Sequence, residues 1–152
     1  MKSSYKRPES VLVVVFTRVG EFLLLRRTKP IDFWQSVTGS RKPGEGSARA
    51  TALRELWEET GLRVSPSHLL DLRHSERFPI LPAWRDRYAP GVHYNLEHWF
   101  ALPLPGRRLI RVSPGEHLEY RWLPAGRAAA MATSWSNRNA IFTLAQTFQP
   151  IL

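Results

Sequence analysis

The chain has 152 residues, no cysteine and a formal charge of +9. A single domain over 1–152 is long enough to bury an ordinary core. The lack of thiols excludes disulfides, cysteine nucleophiles and cysteine zinc sites, which suits the cytoplasm.

The longest apolar run, Val11 to Phe16, is far too short to cross a bilayer. The N-terminal residues lack the long apolar stretch of a secretory signal, so no membrane partner is expected. The positive charge attracts anions. Its carriers are scattered as pairs (Arg26-Arg27, Arg107-Arg108) and singles, without a basic helix stripe or a zinc-finger or RNA-recognition motif. A small phosphorylated molecule is therefore expected rather than a nucleic acid.

β-branched residues make Val11–Phe16 a buried strand. A turn over Arg18–Glu21 leads to a second strand, Phe22–Leu25, giving a hairpin. Lys29–Asp32 is a loop and Gln35–Thr38 a strand. A helix is predicted over Ser47–Thr60. Leu69–Phe78 reads as strand, and Pro79–Gly91 as irregular chain carrying Trp84 and Tyr88. Tyr94–Leu102 alternates like a strand and is broken by Pro103–Gly106. Glu119–Leu123 is a short last strand, and alanine-rich Pro124–Thr133 a helical segment. A C-terminal helix is expected over Asn137–Phe148, with Ile141, Leu144, Ala145 and Phe148 at helical spacing and Trp135 packed against it. Strands mixed with a few helices give an α/β or α+β sandwich.

The chemistry concentrates on the first helix. At about 100° per residue, Glu55, Glu58 and Glu59 share one face, while Leu53, Leu56 and Trp57 share the other. Like charges at i,i+4 repel, so three carboxylates need a positive partner or water. Oxygen ligands of this kind suit a hard cation. The plainer reading is a solvated acidic face.

With Gly39 and Glu45 ahead of it, Arg54-Glu55-Leu56-Trp57-Glu58-Glu59-Thr60-Gly61-Leu62 resembles the signature of the Nudix hydrolases. One departure stands out: eight residues, where the family has seven, separate Glu45 from Arg54. Either the turn at Glu45-Gly46-Ser47 carries an extra residue or Glu45 has lost its family role. Gly46 is placed to absorb an insertion, because glycine accepts φ > 0. Ser47 is then the helix cap, and Gly61 ends the helix. The resemblance implies the α/β Nudix fold: an α/β/α sandwich with a mixed β-sheet between helices and the motif helix against one face.

Further blocks narrow the resemblance: Tyr5–Val13, Asp32–Ser40, Arg87–Val92, Glu116–Leu118 and Ser134–Arg138. Together they look like the dihydroneopterin triphosphate pyrophosphohydrolases of bacterial folate synthesis, nearly end to end. That subfamily cleaves its substrate to the monophosphate and pyrophosphate. The resemblance implies Mg²⁺, or Mn²⁺, held by Glu55, Glu59, Glu58 and Glu116 with the Gly39 carbonyl. It implies Arg54 as the partner of a motif carboxylate, and Glu58 or Glu116 as general base, a choice left open. It places Lys6 and Arg26 on the phosphates with Thr38 and Ser134 donating hydroxyls, and Phe78, Pro79, Ile80 and Leu81 at a ring slot, with Trp34, Trp84 and Tyr88 as further candidates. The alternatives are a nucleotide-directed Nudix enzyme acting on dATP or an oxidised nucleotide, and a non-catalytic RNA-binding module. The retention of all three helical acids opposes the last.

Overall fold

Val11 to Thr17 are all buried, so the strand that carries them has both faces covered. The structure, a computed structural model, describes residues 5–148. Seven strands form one mixed sheet: β1 Glu9–Thr17, β2 Glu21–Arg27, β3 Trp34–Gln35, β4 Val37–Ser40, β5 Leu70–Pro79, β6 Tyr94–Leu104 and β7 His117–Pro124. β1 runs parallel to β6 along its whole length and antiparallel to β4. β1 and β2 pair only at Phe16 and Phe22; beyond that point β3 takes β2 and β4 takes β1. β7 pairs β2, and β5 pairs β6 at the other end of the sheet.

Side chains alternate across the sheet. Leu12, Val14 and Phe16 meet Ala128 and Ala129 of helix α2 (Ala125–Met131) and Ala140, Ile141 and Leu144 of helix α3 (Trp135–Thr147). Val11, Val13 and Val15 meet Ala52 and Leu56 of helix α1 (Ala48–Thr60). Helices on both faces make the α/β/α sandwich that the sequence implies. Leu56 is fully buried; truncating such a leucine to alanine costs about 2–5 kcal/mol. Among the described residues, no helix is long and apolar enough to cross a membrane.

Several expected boundaries move. The Gln35–Thr38 strand is two strands with Ser36 between them, because Ser36 N–H donates to Asn137 Oδ1 at 2.7 Å instead of joining a ladder. β6 continues past Pro103 to Leu104, since Pro103 faces the side of β6 that β5 leaves unpaired beyond Ala101, where no donor is needed. β7 begins at His117, and α3 begins at Trp135 with Ser134 as its cap. Trp135 is 46% exposed and so does not pack the helix.

Candidate active site

Local sequence fixes the motif helix at both ends. Ser47 Oγ accepts from Ala50 N–H at 3.1 Å, and such a cap contributes about 1 kcal/mol. Gly61 closes the helix at φ 75°, its N–H on the Trp57 carbonyl. The extra residue is absorbed without a left-handed Gly46; the positive φ lies at Gly44.

Glu45 keeps a partner. Arg54 Nε donates to Glu45 Oε2 at 2.7 Å, and Glu45 also accepts from Lys42 N–H and Thr51 Oγ1. These donors hold the Glu45 carboxyl at about 2, the Arg54 hydrogen bond first among them. The same guanidinium reaches Glu55 Oε1 at 2.5 Å, Glu58 Oε2 at 3.2 Å and the Ser40 carbonyl at 2.9 Å. Arg54 thus pairs with motif carboxylates, as the resemblance implies, and ties the Gly-rich turn to the helix.

The acidic face is not a solvated one. Glu55 and Glu59 are 8% and 2% exposed, inward with Leu56, whereas Glu58 is half-exposed. Trp57, expected with the apolar residues, is 38% exposed and lies between the Arg63 and Arg111 guanidiniums at 4.3 and 5.0 Å. Burial raises the Glu55 carboxyl, and Arg54 opposes it. Glu59 is pushed well above the usual carboxylate range, by burial first and then by Glu55 and Glu116.

Gly39 lies against this pair; a Cβ there would overlap the Glu55 carboxylate. Glu59 Oε1 is buried without a hydrogen-bond partner among the described residues. His117 Nε2 lies 3.8 Å from it, but burial, then Arg27, lowers that imidazole to about 4, so it is neutral at pH 7. Two desolvated carboxylates, an orphaned oxygen and a backbone cradle fit a hard divalent cation. The full predicted ligand set is not assembled. No group of three or more His, Asp or Glu side chains arranged for a metal occurs among the described residues. Glu58 is drawn toward Arg54 and Lys42, and Glu116 sits on an exposed turn. That turn is docked on the end of β2 through Thr28 N–H to the Glu116 carbonyl, and its charge acts on Glu59.

Two cations, Lys6 and Arg27, lie within the electrostatic field of the carboxylates, and Arg87 acts on both of them. The Lys6 ammonium is lowered by desolvation, Arg87 and Arg27, and supported by Glu55 and Glu116. Lys6 N–H donates to the Arg87 carbonyl at 2.8 Å. Arg27 is desolvated and in the field of Glu59, Arg87 and Glu116. Trp84 lies 5.7 Å from the Arg27 guanidinium and 6.0 Å from that of Arg87.

Arg26, the expected phosphate ligand, is on the opposite face. It follows Leu24 in the α2/α3 parity and pairs with Asp32 at 2.9 Å and Glu119 at 3.1 Å. Thr38 and Phe78 also lie on the α2/α3 face, opposite Leu12 and Asn95 respectively. Ser134 is spent on capping α3. Ile80 is a buried core residue, while Pro79 and Leu81 are exposed; these three form no common wall.

Sequence reasoning missed Arg27, Arg87 and His117, and left the role of Glu45 open. Arg87 and His117 lay inside the quoted blocks. Nothing in the Arg26-Arg27 pair itself says which residue faces α1, because both faces of β2 are buried.

A NUDIX domain description matches residues 6–144. The chain is 47% identical over 140 residues to a dihydroneopterin triphosphate diphosphatase of Escherichia coli (strain K12), covering 90% of this chain and 91% of that protein. It is 40% identical to the Haemophilus influenzae protein of the same name, covering 90% and 87%. The solved E. coli dihydroneopterin triphosphate pyrophosphohydrolase superposes with a TM-score of 0.86 at 44% identity, over 95% of this chain and 99% of that one. With its signature helix, buried carboxylate pair and sandwich fold, the chain belongs to the NUDIX family.

Proposed function

We propose that the chain hydrolyses dihydroneopterin triphosphate to dihydroneopterin monophosphate and pyrophosphate, a step of folate biosynthesis, with Mg²⁺ or Mn²⁺ as cofactor. The observation that carries this reading is the pairing of likeness and site: near full-length similarity to relatives so named, and two buried carboxylates whose field reaches Lys6 and Arg27.

Nudix hydrolases generally use divalent metal ions. Glu55, Glu59 and the Gly39 backbone would hold the ion, with Glu116 approaching from its turn. A bound cation supplies charge neutralisation on the phosphate oxygens as a P–O bond breaks. Lys6, Arg27 and Arg87 receive the polyphosphate; guanidiniums grip its oxygens with planar forks. Glu116 accepts the proton of the attacking water, since Arg54 and Lys42 occupy Glu58. The bridge between the first and second phosphates opens, and both remaining phosphates leave together.

Side-by-side turnover on dihydroneopterin triphosphate and dATP, with both products identified, tests the reading. The pterin substrate is expected to lead in kcat/KM by at least about tenfold, roughly 1.4 kcal/mol, with pyrophosphate released and no free orthophosphate. A lead for dATP would favour a nucleotide-directed enzyme, and orthophosphate as first product would overturn the bond assignment.

A further inference from the structure

On the α2/α3 face the apolar cluster ends in polar side chains that the carboxylate site, on the α1 face, does not use. Asn95 and Glu97 precede Trp99 on β6 at alternate positions and share its face. They are 5% and 6% exposed. Asn95 Nδ2 donates to Ser10 Oγ at 2.7 Å, while Asn95 Oδ1 is buried with no partner among the described residues. Glu97 accepts from Trp99 Nε1 at 3.0 Å and hydrogen-bonds Ser136. Glu76, opposite it on β5, adds a second carboxylate rather than a cation.

A buried acceptor left short of a donor is costly to the fold. Asn95 Oδ1 is such an acceptor, and the Glu97 carboxylate two residues on keeps lone pairs beyond those that Trp99 and Ser136 use; together they are arranged for a donor that arrives with a ligand. The strip leads outward to half-exposed residues: Phe78 opposite Asn95, Ser10 opposite Ser40, and Tyr88 hydrogen-bonded to Ser40. Tyr88 adjoins Arg87 of the cationic group, so the strip begins where the phosphate-facing cations end.

We infer that Asn95 Oδ1 and the Glu97 carboxyl accept the two hydrogens of an exocyclic amino group on the substrate's ring, with Phe78 against the ring's flat face. The spacing suits this. Alternate residues of a strand project from one face, so the two side chains can close on one nitrogen with N–H···O bonds of about 2.9 Å. A desolvated carboxyl gains from a new donor. The ligand class is an amino-substituted nitrogen heterocycle; pterins and adenine carry the group, and hypoxanthine does not. A ring without it leaves Asn95 Oδ1 unpaired, the circumstance in which a polar site discriminates strongly. The inference rests on the proposed triphosphate hydrolysis for its reaction and adds what the ring must carry.

The test uses the full chain with Mg²⁺ and three triphosphates: dATP, dITP and inorganic tripolyphosphate. The wild type is expected to prefer dATP to dITP by at least tenfold in kcat/KM. Glu97→Gln and Asn95→Leu are each expected to cut that preference at least threefold, through dATP, while dITP and tripolyphosphate change less than twofold. Equal use of dATP and dITP by the wild type overturns the inference without recourse to any variant. So does an equal loss on all three substrates in a variant whose thermal transition is unchanged. Failure on dihydroneopterin triphosphate with the amino-group preference intact defeats the substrate assignment and leaves this inference standing.

Discussion

Arg54 Nε donates to Glu45 at 2.7 Å across a segment one residue longer than the family spacing. The insertion is taken up before the Ser47 cap, so the helix starts late and the ion pair survives. Its carboxyl titrates at about 2, against an ordinary value of 4.5. A depressed carboxylate contributes stability that is complete above pH 4.5 and lost as pH falls toward 2. Glu45→Gln is therefore expected to lose on the order of 1–2 kcal/mol at pH 7, after allowance for solvent around the pair. The difference should shrink by pH 3. Urea unfolding at both values measures it, and an equal difference at each would remove the ion pair as its source.

Glu59→Gln should lower kcat by at least about 10³-fold, the scale of lost electrostatic catalysis. Stability should move the other way in metal-free protein. Burial and Glu55 raise the Glu59 pKa, so the fold is favoured at low pH and loses stability as pH rises through the raised value. Glutamine abolishes that loss. Thermal melts in chelator, taken from pH 4.5 upward to pH 8, should show the variant holding its Tm where the wild type declines. A variant melting below the wild type at pH 8 would contradict the desolvation argument.

Glu116→Ala should reduce kcat/KM at least about tenfold as a proton acceptor and metal neighbour are removed. Glu119→Ala should leave it nearly unchanged. Glu119 pairs with Arg26 and Arg121 at 3.1 Å each near the surface, and such pairs contribute little. Steady-state kinetics on the two variants decide; matching losses would remove any special role for the Glu116 turn.

Arg27→Ala and Arg87→Ala are each expected to raise KM about tenfold or more, by loss of a charge-assisted bond to phosphate. Arg26→Ala should shift it less than about threefold, because its guanidinium serves Asp32 and Glu119 on the other face. An Arg26 effect larger than both would restore the expectation drawn from the sequence.

The helix, its caps and its carboxylates were legible because they depend on near neighbours: spacing of 3.6 residues, a serine before the first turn, a glycine after the last. The strands were legible as apolar runs. Which side each residue faces was not. Leu24, Leu25, Arg26 and Arg27 alternate between two buried faces, and no periodicity marks one as the catalytic side. The burial of Glu59 was not legible, because it depends on how α1 docks on the sheet and on β7, far from it in sequence. His117 gave no signal of its own; its place beside Glu59 arises only when β7 pairs β2.

The pairing of β1 with β6 bears on how this protein comes into being. The signature is complete once Leu62 has been made, but its seat is not. β4, which carries Gly39, leans on β1, and the other edge of β1 stays unpaired until Leu104 has emerged. The Glu116 turn and His117 follow later still. A nascent chain bearing every residue of the motif is therefore latent on the ribosome, and a fragment ending after the motif helix should have neither a settled fold nor a site.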